Sequence, residues 1–103
     1  MSEHNLFEMK EDNILKASKA LKAMGHPLRL KILCVLSDGE MPVMDIVSKV
    51  GTTQSNVSQH IDILREKGII ASRRDGSKIL CSVADKEIIS LLHAMQATFC
   101  PTE

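Results

Sequence analysis

Apolar side chains recur every three or four residues over most of the chain, which is the spacing of an amphipathic α-helix. The apolar positions of the first such stretch are Ile14, Ala17, Leu21 and Met24. We expect Asp12-Asn13 to cap this helix and Gly25 to end it. Pro27 suits the first turn of a second helix, residues 28–37, which ends at the turn signal Asp38-Gly39.

Two further helices follow. The short third helix comes after Pro42 and ends at Gly51, and its inward residues are Val43, Ile46, Val47 and Val50. Thr53 is placed to cap the fourth helix, which Gly68 ends. The narrow buried stripe of the fourth helix consists of Val57, Ile61 and Leu64. Its outer face is polar and carries Ser55, Ser58, Gln59, Asp62 and Glu66.

The pattern then changes to that of a β-hairpin. Residues 69–83 form two short strands around Asp75-Gly76, the strongest two-residue hairpin signal. Asp85 caps a last helix, whose apolar residues have the spacing of a helix that packs along another helix: Ile88, Leu92, Met95 and Phe99. The element order ααααββα predicts a mainly α fold with a β-hairpin wing, the winged helix-turn-helix.

A chain of 103 residues forms one domain, residues 1–103, in which we expect residues 1–11 to be a flexible N-terminal segment. So short a chain buries little of its surface, and pairing with a second copy would increase that burial. Neither a signal peptide nor a membrane-spanning stretch is expected, so the sequence favours a cytoplasmic protein without a membrane partner.

The polar face of the fourth helix is the main functional signal. Small polar side chains allow a helix to enter a major groove about 12 Å wide, and Gln can bind adenine through two hydrogen bonds. A merely solvated face would have no reason to collect Ser and Asn, which are poor helix formers. Net charge is zero, but basic side chains flank the hairpin tip, where a wing would meet DNA phosphates. The few aromatic residues favour double-stranded over single-stranded DNA. The predicted DNA-binding residues are Gln54, Ser55, Ser58, Gln59, His60, Arg73, Arg74 and Lys78.

Two segments, LKAMGHPLRLKILCVL (residues 21–36) and TTQSNVSQHIDILREKGII (residues 52–70), resemble the ArsR family of small bacterial winged-helix repressors. The resemblance covers nearly the whole chain. It implies a homodimer joined through the first and last helices. It also implies that the two recognition helices enter successive major grooves of a near-palindromic operator.

Many ArsR proteins sense metals, but the expected ligands are missing here. Residues 41–45 read MPVMD, where the thiolate sensors carry Cys, and the last helix retains only Asp85 and Glu87 of the zinc and nickel pattern. His93 alone is more often solvated than ligating. We therefore expect no metal and no cofactor.

The three cysteines remain. Within LKILCVL a small buried hydrophobe is the default, but Cys34 lies about 200° around the helix from Ile32, beside Leu30, so we expect it to face the last helix and not the main core. Cys81 shares a strand face with Ile79 and Val83, so packing explains it. The chain is similar to the HlyU-, BigR- and SqrR-like subgroup of the family, which carries one Cys in the second helix and one near the C-terminus, as Cys34 and Cys100 stand here. That similarity implies a disulfide or polysulfide bridge between them that responds to reactive sulfur species or oxidants.

Other functions stay open. A metal-responsive or ligand-free regulator is the nearest alternative, and a winged-helix protein-interaction module is another. An enzyme is not expected, because the chain has no C-x-x-C, phosphate-binding Gly loop or Cys-His motif.

Overall fold

The computed structural model describes residues 5–102, and the polypeptide forms five α-helices and three short strands over that range. The helices are α1 (Glu11–Met24), α2 (Pro27–Leu36), α3 (Val43–Val50), α4 (Gln54–Glu66) and α5 (Lys86–Phe99). The strands are β1 (Met41–Pro42), β2 (Ile70–Asp75) and β3 (Lys78–Val83). The predicted winged helix-turn-helix order is confirmed, with β1 as an unpredicted addition.

The ends of α3, α4 and α5 follow the local signals. The Thr53 hydroxyl accepts a hydrogen bond of 3.1 Å from the Asn56 N–H and so caps α4. The Asp85 carboxylate accepts one of 2.9 Å from the Glu87 N–H at the start of α5. Gly51 takes a left-handed conformation (φ 76°) that a residue with a Cβ would adopt only with strain, and this conformation stops α3.

Two predicted helix starts were wrong. Asp12-Asn13 lie inside α1, which begins at Glu11 after Lys10, and no side chain caps it. Asp12 instead adds negative charge to the first turn, where it complements the helix dipole. Helix α2 begins at Pro27 and ends at Leu36, so it starts and ends one residue earlier than predicted.

The N-terminal segment contains one turn of 3-10 helix, Leu6–Glu8, in which Asn5 accepts from the Phe7 N–H at 2.9 Å. Residues 1–4 of the segment expected to be flexible lie outside the described residues. Both apolar side chains of the turn are exposed, Leu6 by 80% and Phe7 by 92%.

The three strands form one antiparallel sheet in the order β1-β3-β2. Strand β3 lies in the centre, with Met41 of β1 opposite Cys81. On its other side the hairpin pairs Arg74 with Ile79 and Asp75 with Lys78 at the tip. Because β1 leads directly into α3, the wing is joined to the helical part by backbone hydrogen bonds.

The core lies between α2, α3, α4 and the base of the sheet. The predicted stripe of α4 is confirmed, since Val57, Ile61 and Leu64 are all buried. They pack in one cluster with buried residues of α1, α2, α3, the sheet and α5. This packing fixes which face of α4 is left outward.

Helices α1 and α5 leave part of their apolar surface uncovered. The predicted stripe residues Ile14 and Leu21 of α1 are 41% and 54% exposed, and Phe99 of α5 is 76% exposed. Of the α5 seam only Leu92 is buried within the protomer. No helix within residues 5–102 has the length and apolarity needed to cross a bilayer.

Candidate nucleic-acid interface

The outward face of α4 brings together the small polar residues that the sequence singled out. Gln54, Ser55 and Gln59 are exposed, and Ser58 is half-buried beside them. All four lie in the N-terminal half of the helix, because the core stripe occupies the opposite face. Their amide and hydroxyl groups can donate and accept hydrogen bonds, as base edges in a major groove require.

A groove of about 440 Å³ runs between this face, the start of α3 and the wing. Its lining is mixed in chemistry and includes Met44, Asp45, Gln54, Ser58, Arg65 and Lys78. The groove therefore connects the polar face of α4 to the hairpin tip. A ligand that followed it would contact both elements at once.

The tip of the hairpin carries two exposed cations that the sequence predicted for DNA. Arg74 lies opposite Ile79, and Lys78 lies opposite Asp75, so the two cations stand close to the turn at the end of the sheet. Gly76 forms the turn with φ 64°, in the left-handed region that favours glycine. Both charges are therefore held on a short, ordered projection.

Arg73 differs from these two, because a carboxylate of the same chain already holds it. Its Nε and Nη2 atoms donate to the two carboxylate oxygens of Glu40, each at 2.8 Å. This hydrogen-bonded pair lowers the pKa of Glu40. The pair joins the loop before β1 to the wing, so Arg73 would need to leave Glu40 to contact a phosphate.

His60 is likewise engaged inside the molecule. It is half-buried, and its Nδ1 atom accepts a hydrogen bond of 3.2 Å from Nε of Arg29. Its ring lies against the ring of His26, with centroids 4.6 Å apart. Desolvation, followed by the charges of His26 and Arg29, lowers the pKa of His60. No local sequence pattern indicates this arrangement, because Arg29 and His60 are 31 positions apart.

A second set of polar contacts joins α4 to the wing. Arg65 pairs with Asp62 one turn earlier and donates a hydrogen bond of 3.0 Å to the hydroxyl of Ser72. The Ser72 hydroxyl also lies 3.5 Å from the Cys81 sulfur. The position of the wing relative to α4 is thus set by side chains as well as by the sheet.

The three cysteines are free thiols in three different environments. Cys81 is fully buried, as its predicted packing role requires, whereas Cys34 is exposed and Cys100 is half-buried. The exposure of Cys34 agrees with the expectation that it faces away from the main core. Partial desolvation and then the charge of Cys100 raise the pKa of Cys34.

Comparison with known proteins identifies the family. Residues 26–72 match the bacterial regulatory protein family arsR. The chain is 31% identical over 100 residues to the biofilm growth-associated repressor of Xylella fastidiosa, with 97% of this chain and 88% of that protein covered. It is 34% identical over 96 residues to the transcriptional activator HlyU of Vibrio cholerae, with 93% and 88% covered. The chain belongs to the arsR family.

Solved structures of arsR-family proteins have the same fold. HlyU of Vibrio cholerae superimposes with a TM-score of 0.83 at 32% identity, covering 88% of this chain and 99% of that one. The transcriptional repressor BigR of Xylella fastidiosa gives a TM-score of 0.78 at 30% identity, with 89% and 98% covered. This arsR-family protein is a DNA-binding regulator of transcription with a winged helix-turn-helix fold.

The structure shows how the possible metal ligands of the arsR-family protein are arranged. Within residues 5–102, no three or more His, Cys, Asp or Glu side chains come together in a way that could hold a metal ion. His93 is exposed on α5. The described side chains thus offer thiols, but no ligand cluster, as candidates for sensing.

Proposed function

We propose that the protein is a repressor that binds a near-palindromic double-stranded operator as a homodimer, and that reactive sulfur species or oxidants release it by joining Cys34 to Cys100. What supports the switch is that Cys34 of α2 and Cys100 after α5 both reach solvent, and that the charge of Cys100 contributes to the raised pKa of Cys34. The third thiol, Cys81, is inaccessible.

In this proposal the bases are read by Gln54, Ser55, Ser58 and Gln59, which share one polar face of α4. Arg74 and Lys78 contact phosphates or the minor groove from the wing tip, where no described ion pair occupies them. Arg73 and His60 belong to the same surface, but each has a partner within the chain. We assign Arg73 and His60 to the DNA interface, and the bond that each makes within the chain competes with that role.

The homodimer is supported by the uncovered apolar surface of the first and last helices. Leu15 and Leu21 of α1 are 56% and 54% exposed, and Leu91 and Phe99 of α5 are 45% and 76% exposed. Exposed apolar surface on two long helices favours burial against another copy. A dimer places two α4 helices on one side of the DNA, and half-sites about 34 Å apart can then be read together.

The chemical step is a two-electron oxidation of the thiols. The thiolate of one cysteine attacks a sulfane sulfur of an inorganic polysulfide, forming a persulfide and expelling the shortened polysulfide. The second thiolate attacks the inner sulfur of that persulfide, forming the disulfide and releasing hydrogen sulfide. Two thiol protons leave with the sulfide products, and the polysulfide accepts the two electrons. If the second cysteine has also become a persulfide by the same polysulfide reaction, its outer sulfur attacks the inner sulfur of the first persulfide, and the bridge contains one more sulfur as hydrogen sulfide leaves.

Bridging would act on DNA binding through α5. A disulfide requires Cα atoms within about 7 Å, so the end of α5 becomes tied to α2. Because α5 also supplies the dimer surface in this proposal, its displacement changes the distance between the two α4 helices. A coupling of about 1 to 3 kcal/mol, or 5- to 150-fold in affinity, is typical of such an effect.

The raised pKa of Cys34 predicts how the reaction depends on pH. Because the pKa of Cys34 is raised, its thiolate fraction near neutral pH is smaller than that of an ordinary thiol. If Cys34 is the attacking group, the bridging rate should therefore rise steadily as the pH increases from 7 to 9.

The decisive test is operator affinity before and after polysulfide treatment, for the wild type, Cys34→Ser, Cys100→Ser and Cys81→Ser. We expect treatment to weaken binding by the wild type and Cys81→Ser, and to leave Cys34→Ser and Cys100→Ser unchanged. Peptide mass spectrometry should find a link between residues 34 and 100 in the treated wild type. An unaltered response of Cys34→Ser, or release by zinc instead of sulfur, would replace this switch with a metal-responsive or ligand-free regulator.

The protein-interaction alternative predicts a different titration. Binding to DNA phosphates releases counterions, so operator affinity should fall steeply as salt increases. Absence of salt-dependent duplex binding by the reduced protein would favour a partner protein for the polar face of α4.

A further inference from the structure

Three side chains meet where α1 ends, α2 begins and α4 passes beneath them. His26 caps α2, with its Nδ1 atom accepting from the Leu28 N–H at 3.2 Å. Its ring lies 4.6 Å from that of His60, which projects from α4. Arg29 completes the group from the first turn of α2. We refer to His26, Arg29 and His60 as the histidine cluster.

Arg29 joins three helices through two hydrogen bonds. Its Nη1 atom donates to the main-chain carbonyl of Ala23 at 3.1 Å, and its Nε atom donates to Nδ1 of His60 at 3.2 Å. A guanidinium can do this because its donors point in fixed, diverging directions. The end of α1 and the middle of α4 are thereby held in one geometry relative to α2.

The hydrogen bond from Arg29 requires His60 to be neutral. An imidazole nitrogen that accepts a hydrogen bond carries no proton, so the single proton of the His60 ring is on Nε2. A protonated imidazole has donors at both nitrogens and no acceptor. Protonation of His60 would therefore break its bond to Arg29 and place two positive charges in contact.

Among residues 5–102, no carboxylate hydrogen-bonds to His60 or opposes the lowering of its pKa. The charges that act on its pKa are those of His26 and Arg29, and both disfavour the protonated form. Helices α1 and α3 and strand β2 also pack against α4. Their exposed charged side chains, among them Lys22, Asp45, Lys49 and Arg73, neither hydrogen-bond to His60 nor contribute to that shift.

We propose that Arg29 and neutral His60 are positioning residues that hold α4 in the orientation needed for operator binding, and that protonation of His60 releases α4 and weakens operator binding. This inference rests on the proposed role of α4 in reading the operator. It gives His60 an indirect role in operator binding, in contrast to a direct contact between His60 and a DNA phosphate.

The two roles predict opposite responses to acid. His60 has a pKa below the ordinary 6.5, so its neutral form is fully present above pH 6.5 and is lost as the pH falls through that lower value. In the positioning role, affinity decreases in this window. In a direct phosphate contact, the added positive charge would increase affinity for any duplex.

The experiment measures operator dissociation constants of the reduced protein between pH 8 and pH 5. The variants are His60→Gln, which keeps a hydrogen-bond acceptor that does not titrate, and Arg29→Lys, which keeps the charge but cannot bridge both acceptors. His93→Gln, an exposed histidine on α5, is the matched control. A melting curve at each pH confirms that the variants are folded.

We expect the wild type and His93→Gln to lose about tenfold in operator affinity in acid, comparable with one hydrogen bond to a charged group. His60→Gln should bind the operator with an affinity that does not change between pH 8 and pH 5. Arg29→Lys should already be about tenfold weaker at pH 8 and also lack the loss.

The inference would be overturned if His60→Gln still lost operator affinity in acid. It would also be overturned if the operator affinity of the wild type alone rose in acid. Failure of the proposed function looks different, because the wild type would then show no operator binding at any pH. The melting curves also separate positioning from a purely structural role, because simple destabilisation would lower the melting temperature of His60→Gln at pH 8.

Discussion

Phe99 provides the sharpest test of the proposed dimer. It is the last residue of α5, and 76% of its side chain is exposed in the protomer. Replacing it with Ala removes apolar surface that residues 5–102 of the same protomer leave uncovered. The change should therefore weaken dimerisation without altering the fold of each protomer.

The expected magnitude follows from the exposed fraction. Complete burial of a Phe side chain contributes about 1.5 to 3 kcal/mol, so covering the exposed three-quarters contributes about 1 to 2 kcal/mol per protomer. A two-fold symmetric interface contains the residue twice, which gives about 2 to 4 kcal/mol. Phe99→Ala should therefore raise the dimer dissociation constant about 30- to 700-fold.

Sedimentation velocity over a concentration series measures this constant. Met44→Ala is the matched control, because Met44 is an apolar side chain 54% exposed on α3, away from the α1 and α5 surfaces. Leu92 would be a poor probe despite lying in the same predicted seam. It is only 5% exposed within the protomer, so a charge there would unfold the chain as well as separate it.

Wild-type protein that sediments as a monomer at micromolar concentration would refute the dimer. Equal weakening by Phe99→Ala and Met44→Ala would also refute the assignment of the interface to α5. In that case the exposed apolar groups of α1 and the N-terminal turn would have to be explained by another contact.

Two further predictions concern DNA. Gln54→Ala and Ser58→Ala should each reduce specific operator binding by about 1 to 3 kcal/mol while leaving the melting temperature unchanged, and unaltered affinity in a gel-shift titration would remove these residues from base reading. Arg74→Ala and Lys78→Ala should weaken binding to all duplexes alike and lower the salt dependence by about one unit each, whereas a sequence-selective loss would show that the wing reads bases.

Local chemistry accounts for the elements that the sequence predicted well. Thr53 and Asp85 cap their helices through their own side chains, and Gly51 stops α3, so each signal acts within three residues of where it is read. The short strand β1 had no such signal. Two residues that include Pro42 show no periodicity, and their strand exists only because β3 pairs with them.

Periodicity also leaves open which molecule covers an apolar stripe. The stripe of α4 is buried by its own chain, whereas Ile14 and Leu21 of α1 are exposed although their spacing is equally regular. The histidine cluster was missed for a related reason. The sequence located His60 on the recognition helix, but its partner Arg29 comes from another helix that only tertiary packing brings near.

The sheet order β1-β3-β2 has a consequence for the DNA itself. Since β1 runs directly into α3, and Arg65 of α4 donates a hydrogen bond to Ser72 of β2, the wing is tied to the helical part at two places. In the proposed complex, a duplex that bends or changes its groove width to meet both elements pays a deformation energy that depends on base sequence. Flexible steps such as TA between the major-groove contact and the wing should therefore strengthen binding at base pairs that no side chain touches.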